Sequence, residues 1–489
     1  MANFFKAQTK KQTVSATVIA TIKRIDLNGN GVAQWKNKPL FVAGALLEEE
    51  VEIKIVEQKS KYARGHLLNV IKPSVQRIQP LCAHYKSCGG CDLQHLQFDQ
   101  HIAFKENKVS QLLQRSDLVP PFPWQSPILS EPWHYRRKAR IGVQYNKKGQ
   151  VTLGFRQKST NDLVSVKECP VLLKPINILF KPLKQVLNGL SLSQSIGHVE
   201  VICSESSNDK RVTLVTLLIR QLKAINKKDK LLWQQAASDN GWQIYLDQGD
   251  DNLVAITEVQ PLTFTLGSDI VGVDNLGDRL ANEELTLNKS TTSMALSPVE
   301  ITFTAKDFIQ VNPAVNRKMV AQAISWLALK STDNVLDLFC GLGNFTLPIA
   351  QHVQHVIGVE GVQKMVDNAT ENAVNNKIDN VDFYQADLNS PWKTQPWAAS
   401  FFHDIEQGNK TSINKLILDP ARAGAYQAIE QLLPLKIQQI LYISCDPTSL
   451  AKDITLLNSA GYTLDKIGLM DLFAQTKHVE TMALFTLTS

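Results

Sequence analysis

Hydrophobic positions along this 489-residue chain change rhythm twice. Up to Ile71 they come in short alternating or β-branched runs, at 14–22, 41–42, 51–56 and 67–71, separated by turns such as Asn28-Gly29-Asn30-Gly31 and Ala43-Gly44. Five short strands in about 60 residues predict a small closed barrel of the oligonucleotide-binding (OB-like) type. From residue 305 onward, apolar runs at 335–339, 356–359, 381–384, 416–418 and 440–443 alternate with helical stretches. That alternation predicts a parallel sheet covered on both faces. The stretch 391–412, with Trp392 and Trp397, interrupts it as an insertion. Between the two patterns the reading is mixed: a helix at 98–115, a Pro120-Pro121-Phe122-Pro123 connection, and strands at 139–144, 151–155, 198–202 and 212–219. The polar stretch 265–300 reads as long loops or inserted hairpins. The fold class is therefore multidomain α/β: an OB-like barrel at 1–72, a central α+β domain at 73–304 and a Rossmann-like domain at 305–489.

Composition narrows the class. At 44% hydrophobic residues the chain can bury substantial cores, which excludes disorder as its main state. No apolar run approaches the roughly 18 residues needed to cross a bilayer. The start, Met1-Ala2-Asn3-Phe4-Phe5-Lys6, lacks a signal-peptide core, so a cytoplasmic protein without membrane contact is expected. Residues 1–72 carry twelve Lys/Arg against six Asp/Glu, which accounts for the whole net charge of +6. A second cluster, Arg136-Arg137-Lys138-Ala139-Arg140, lies beside Trp133 and Tyr135. Such stretches attract phosphates and stack on exposed bases. For either cluster alone, the alternative is a solvated charged face.

The chemistry collects at predicted strand ends. Asp337-Leu338-Phe339-Cys340-Gly341-Leu342-Gly343-Asn344-Phe345 lies where a strand gives way to a helix, and Glu360 ends the next strand. A glycine turn followed by such a carboxylate is a nucleoside site. Thr346 occupies the place of the third glycine of a dinucleotide fingerprint, which favours S-adenosylmethionine over NAD. Two more strands run into Asp419-Pro420-Ala421-Arg422-Ala423-Gly424 and Ser444-Cys445-Asp446-Pro447-Thr448, so Asp337, Glu360, Asp419 and Cys445 are expected to converge. The helix start at Pro447 is expected to lower the Cys445 thiol pKa, with Asp446 opposing. A nucleophilic cysteine beside a methyl donor fits addition to carbon 6 of a pyrimidine, which activates carbon 5 and then requires a base. His478 and Glu480 lie on one face of an extended segment and are the candidates, against a solvated charge pair.

Of the seven cysteines, Cys82, Cys88 and Cys91 form C-x5-C-x2-C, with Cys169 a distant fourth. Four thiolates hold either zinc or a [4Fe-4S] cluster, and spacing leaves both open. His84 and His95 read as neighbours, and Cys203 and Cys340 as packing positions.

With these pieces in place the chain resembles the bacterial 23S rRNA (uracil-5-)-methyltransferases over nearly its whole length. The resemblance rests on the basic barrel, similar to a TRAM domain, the four cysteines, Phe308-Ile309-Gln310-Val311-Asn312-Pro313, the glycine turn, Asp419 to Gly424, Ser444-Cys445 and His478-Val479-Glu480. It implies a [4Fe-4S] cluster on Cys82, Cys88, Cys91 and Cys169, Cys445 as nucleophile and Glu480 as base. It also implies S-adenosylmethionine contacts from Gln310, Phe339, Asn344, Glu360, Asp387 and Asp419. The implied partner is 23S rRNA with a flipped uridine, and a monomer is expected. Related tRNA enzymes typically lack barrel and cluster. The chain departs from the family where Asp446 and Asp387 stand at positions often Asn, and where Ala421 replaces a second proline. Phe308 is read as packing against displaced bases, with core packing the alternative. Three rivals remain: a tRNA 5-methyluridine enzyme, an amino-group methyltransferase of the Asp-Pro-Pro-Tyr type with Arg422 in the tyrosine place, and a non-catalytic RNA-binding assembly factor.

Overall fold

The structure, a computed structural model, describes residues 16–488 except 117, 159, 193, 207–208, 211, 250–252, 268–296 and 408–411. The chain divides into two units, Met1–Lys108 with Gln475–Lys477, and Val109–Ala474 with His478–Ser489.

The alternation near the start of the chain becomes six strands: β1 (Thr17–Thr21), β2 (Arg24–Ile25), β3 (Asn30–Trp35), β4 (Lys38–Ala43), β5 (Glu50–Gln58) and β6 (Ala63–Lys72). Their order is β1-β5-β6-β4-β3-β2. β1 and β2 are two pieces of one strand interrupted at Ile22-Lys23, and they stand at opposite ends of that order. The sheet thus closes on itself through the break, giving the five-stranded barrel expected. Every second residue of β5 (Val51, Ile53, Ile55) is buried with Leu40 and Val42 of β4. Register shifts at three places along β5 and β6 supply the bending that closure needs. Buried Glu49 accepts hydrogen bonds from the backbone N–H groups of Leu46 (2.7 Å) and Ser74 (3.2 Å) and from Arg77 Nη2 (2.8 Å). These bonds tie the segment after β6 back onto the barrel, and the Glu49 carboxyl lies below its ordinary pKa although burial opposes this.

In the second unit, β7 (Lys138–Tyr145), β8 (Val151–Arg156), β9 (Leu163–Ser165), β10 (Ile196–Glu205), β11 (Thr213–Gln221), β12 (Trp242–Asp247), β13 (Leu253–Ala255), β14 (Leu262–Leu266) and β15 (Val299–Phe303) form one sheet. It is antiparallel except where β11 meets β12. Helix α1 (Phe98–Arg115) precedes it, and α2 (Lys174–Asn177), α3 (Phe180–Gly189) and α4 (Lys227–Asn240) lie within it in sequence. Phe180, Leu183 and Trp233 share a core with β10 and β11. The stretch read as loops or inserted hairpins falls mostly on 268–296, outside the described residues. Its flanks, β14 and β15, pair antiparallel, with Leu266 opposite Val299.

The third sheet holds β16 (Asn334–Leu338), β17 (His355–Glu360), β18 (Val381–Gln385), β19 (Lys415–Leu418), β20 (Gln439–Ser444), β21 (Tyr462–Met470) and β22 (Glu480–Leu487). The order is β18-β17-β16-β19-β20-β22-β21, parallel from β18 to β20, with β22 antiparallel to both its neighbours. β16 and β19 are nearly continuous apolar runs and are almost wholly buried, as strands covered on both faces must be. The intervening helices are α5 (Pro313–Leu327), α6 (Thr346–Ala350), α7 (Gln363–Asn375), α8 (Ala399–Glu406), α9 (Tyr426–Leu432) and α10 (Pro447–Ser459). In the 391–412 insertion, the buried Trp392 and Trp397 rings lie 5.1 Å apart, and the backbone N–H of Trp392 donates to Gln431 Oε1 of α9 (2.7 Å). From β16 the chain winds outward through β17 and β18, then returns to β19 on the other side. That reversal opens a crevice at the carboxyl ends of β16 and β19.

Candidate active site

The turn after β16 bends through three left-handed residues, Phe339 (φ 63°), Gly341 (φ 57°) and Gly343 (φ 88°). Glycine takes this conformation freely, whereas at Phe339 it stores strain of about 1–3 kcal/mol. The surroundings enforce it: the N–H groups of Phe339 and Cys340 both donate to Val359 O at the end of β17 (2.9 and 3.2 Å). The Glu360 carboxylate accepts from Gly341 N–H (3.2 Å) and Val362 N–H (3.1 Å). Asn344 exchanges two amide hydrogen bonds with Asn316 of α5 (2.9 and 3.1 Å). Gln310 lies two residues before Asn312, the N-cap of α5, and its carbonyl accepts from Arg137 Nε (2.8 Å). Asp387 is exposed just beyond β18. Bonds from Asn389 and Ser390 hold its carboxyl below the ordinary value, and the neighbouring Ala386 N–H reaches Glu360 O (3.0 Å).

Beneath the turn Asp337 is fully buried, its Oδ2 accepting from Thr346 Oγ1 (2.6 Å), while Oδ1 has no hydrogen-bond partner. Burial, opposed by hydrogen bonds from the Thr346 hydroxyl and backbone N–H and helped by the Asp419 and Glu360 charges, pushes its carboxyl up to about 7. Burial alone pushes Asp419, at the end of β19, to about 7. A glycine turn on an acidic floor fits a nucleoside that carries a positive centre.

The thiol lies two strands along the same edge. β20 ends at Ser444, which pairs with Thr481 of β22, so the antiparallel ladder carried one step further sets Cys445 opposite Glu480. Cys445 is half-buried and its thiol points to Pro420 O (3.9 Å). Burial first, then the Glu480 and Asp419 charges, push the thiol up to about 11, with Arg422 opposing. The sequence expectation of a thiol lowered by the helix start is therefore corrected: nearby carboxylates and burial outweigh the start of α10. Asp446, expected to act on the thiol, caps α10 instead by accepting from Thr448 N–H (2.7 Å). His478 is exposed and its ring lies 5.6 Å from that of Phe473. Phe308 is 69% exposed, which rules out the core-packing alternative.

Sequence reasoning missed Asp453. This buried carboxylate on α10 accepts from Tyr442 OH (2.6 Å) and Ala425 N–H (2.8 Å), fastening the loop after β19 to β20 and α10. Its one signal is an acid set among the apolar positions Leu450, Ile454 and Leu457 of the same helix.

The cysteine segment lies in the first unit, in a run of turns: Cys88 N–H donates to His84 O (2.8 Å) and Gly90 N–H to Cys88 Sγ (3.4 Å). Cys169 lies in the second unit. None of the seven cysteines forms a disulfide. Among the described residues, no group of three or more His, Cys, Asp or Glu is drawn together as a metal site.

Residues 97–487 match the tRNA (Uracil-5-)-methyltransferase family model, and 11–68 match the TRAM domain. The chain is 47% identical to the 23S rRNA (uracil(1939)-C(5))-methyltransferase RlmD of Colwellia psychrerythraea over 100% of both chains. It is 40% identical to the RlmD of Psychromonas ingrahamii over 99% of this chain and 100% of that one. In fold it is similar to Pyrococcus abyssi tRNA (uracil-54, C5)-methyltransferase, solved in complex with S-adenosyl-L-homocysteine (TM-score 0.67, 18% identity, 96% of this chain and 99% of that one). A family model over most of its length and relatives matched end to end lead to one conclusion: the chain belongs to the uracil-5-methyltransferase family.

Proposed function

We propose that this chain transfers the methyl group of S-adenosylmethionine to carbon 5 of a uridine in 23S rRNA through a covalent bond between Cys445 and carbon 6. One observation carries the reading: a half-buried thiol, a carboxylate opposite it across a ladder, and an acidic glycine turn share one sheet edge. The relatives' names support uracil 1939 as the target. Gln310, Phe339, Asn344, Glu360, Asp387 and Asp419 are the proposed cofactor contacts.

Carbon 5 of uracil is too weak a nucleophile to accept a methyl group directly. Addition of Cys445 Sγ to carbon 6 forms a C–S bond and moves the ring's electron pair toward carbon 5 and O4, the thiol proton passing to solvent. Bound S-adenosylmethionine supplies an electrophilic methyl group. Glu480 then takes the proton from carbon 5, the 5,6 double bond re-forms and the C–S bond breaks, freeing Cys445. Arg422 is the nearby cation that favours the thiolate. An amine methyltransferase has no use for such a thiol.

The modules are 1–72, 73–304 and 305–489, and they work as a cytoplasmic monomer on a uridine flipped out of a folded loop. Cys82, Cys88, Cys91 and Cys169 carry a [4Fe-4S] cluster; the support is donor chemistry, four thiols outside any disulfide with an N–H group turned toward Cys88 sulfur. Iron and acid-labile sulfide near four each per chain, lost in Cys88→Ser, are the expected outcome of anaerobic purification.

The deciding experiment incubates the protein with 23S rRNA containing 5-fluorouridine and S-adenosylmethionine. Fluorine cannot leave as a cation, so a covalent adduct accumulates, and mass mapping places it on Cys445 and one uridine. Normal 5-methyluridine formation by Cys445→Ala would overturn the mechanism.

A further inference from the structure

The six proposed cofactor contacts do not include the most deeply buried acid of the site. Asp337, the penultimate residue of β16, lies beneath the glycine turn, has no exposed surface, and leaves Oδ1 without a hydrogen-bond partner. The groups that face it come from every element around it. The end of β17 contributes Glu360, the end of β19 Asp419, the start of α6 the hydroxyl and the backbone N–H of Thr346, and the turn itself the buried Cys340 thiol. The charges that act on Asp337 are both negative. An ionised carboxylate in that place has Thr346 alone to donate to it and is surrounded by its own sign, so a proton or a cation beside it stabilises it.

We propose that Asp337 is a charge-selecting residue of the cofactor site, which holds a proton in the cofactor-free protein and releases it to solvent when a cationic centre of S-adenosylmethionine binds. The step balances: the neutral carboxylic acid loses H⁺ to buffer, and the resulting carboxylate pairs with one positive charge brought by the ligand. The sulfonium and the ammonium of the amino-acid end share that chemistry. This inference rests on the cofactor reading above.

Calorimetric titration of the full chain with S-adenosylmethionine, in phosphate and in Tris across pH 6 to 9, counts the protons. The expected result is release of a fraction of a proton per cofactor near neutral pH, falling toward none at pH 9, where Asp337 is already ionised. S-adenosylhomocysteine retains the ammonium but lacks the sulfonium. Equal release with both ligands assigns the pairing to the ammonium, and release with S-adenosylmethionine alone assigns it to the sulfonium. Asp337→Asn is expected to bind S-adenosylmethionine about tenfold or more weakly and to release fewer protons, down to the share of Asp419, whose carboxyl burial also holds near 7, whereas Asp419→Asn is expected to keep the Asp337 share. Thr346→Val, which removes the hydroxyl that favours the ionised form, is expected to move the release to higher pH and keeps the test open should Asp337→Asn not fold. Binding with the same enthalpy in both buffers at every pH would overturn the inference, as would full proton release by Asp337→Asn. Absence of any cofactor binding, by calorimetry and equilibrium dialysis alike, would instead remove the cofactor reading itself.

Discussion

At Cys445 the proposed nucleophile sits in surroundings that keep it protonated. Its thiol lies near 11, so at pH 8 only on the order of one molecule in a thousand carries the thiolate. Alkylation of Cys445 by iodoacetamide, followed by peptide mass analysis, is expected to climb steadily from pH 7 to pH 10 without a plateau. Glu480→Gln removes a negative charge that raises the thiol, so its alkylation at pH 8 should be about 3- to 10-fold faster, while Arg422→Ala should slow it. The same Glu480→Gln change takes away the proposed base, so with natural 23S rRNA a methylated covalent adduct should build up on denaturing gels. Asp337 behaves oppositely to an ordinary carboxylate. Its pKa in the fold is near 7 against 3.8 for the free group, so the folded protein binds this proton more tightly than the unfolded chain does. The sign follows: the stability tied to that proton is present below pH 4 and is lost as pH rises from 4 toward 7. Asp337→Asn should therefore gain about 1–3 kcal/mol over the parent at pH 8 and little at pH 4, read from urea unfolding of the cofactor-free protein.

Elements deliver these groups, and one contact fixes how they do so. Asp453 on α10 holds both Tyr442 of β20 and the backbone of the loop after β19, so the thiol and Arg422 are set by a single buried carboxylate. Asp453→Ala leaves a buried hydroxyl and a buried N–H without their acceptor, and a loss of about 2–4 kcal/mol in urea unfolding is expected. Gly424 sits beside it at φ 82°, where an added Cβ would come within 2.7 Å of Asp453 Oδ2 and 2.9 Å of Ser449 Cβ. The parallel strands and the glycine turn were legible in the sequence because each is a local pattern, an apolar run ending in Asp337, Glu360, Asp419 or Ser444-Cys445. What escaped was non-local. The pairing of Leu266 with Val299 spans a long stretch of chain, and β22 lies between β20 and β21 only because Glu480 to Leu487 folds back antiparallel. The thiol's pKa was misjudged for that reason: its burial, the largest cause, and the Glu480 carboxylate both come from the packing of elements far along the chain, whereas the helix start expected to favour the thiolate is adjacent. Phe339 was named as a contact, but its left-handed backbone was not foreseen, since nothing local marks a phenylalanine for that conformation.

For the molecule as a whole, the excess of positive charge belongs to residues 1–72, which match the TRAM domain over 11–68. On the barrel, Lys36 stands 4.6 Å over the Trp35 ring and Arg64 5.4 Å over Tyr62, whose ring meets Phe41 edge-on at 6.1 Å. Lys36 and Arg64 are exposed while the rings are half-buried, so each pair offers a cation for a phosphate and an aromatic face for a base. The two contributions separate under salt. A cation that neutralises one phosphate releases counterions, so Lys36→Ala or Arg64→Ala should weaken binding of a 23S rRNA fragment and reduce the slope of log affinity against log salt by about one each. Stacking releases no counterions, so Trp35→Ala should lower affinity by about 1–3 kcal/mol at every salt concentration and leave the slope unchanged. S-adenosylmethionine affinity, which depends on the crevice after β16, should be the same in all three variants, so filter binding of the RNA and calorimetry of the cofactor together test whether the barrel contributes to RNA capture alone. A slope unaltered by both cation changes would place the phosphate contacts elsewhere than Lys36 and Arg64; the Arg136 to Arg140 cluster is a poor alternative, since Arg137 is buried, Lys138 donates to Ala305 O and Asp307 O, and Arg140 is paired with Glu200.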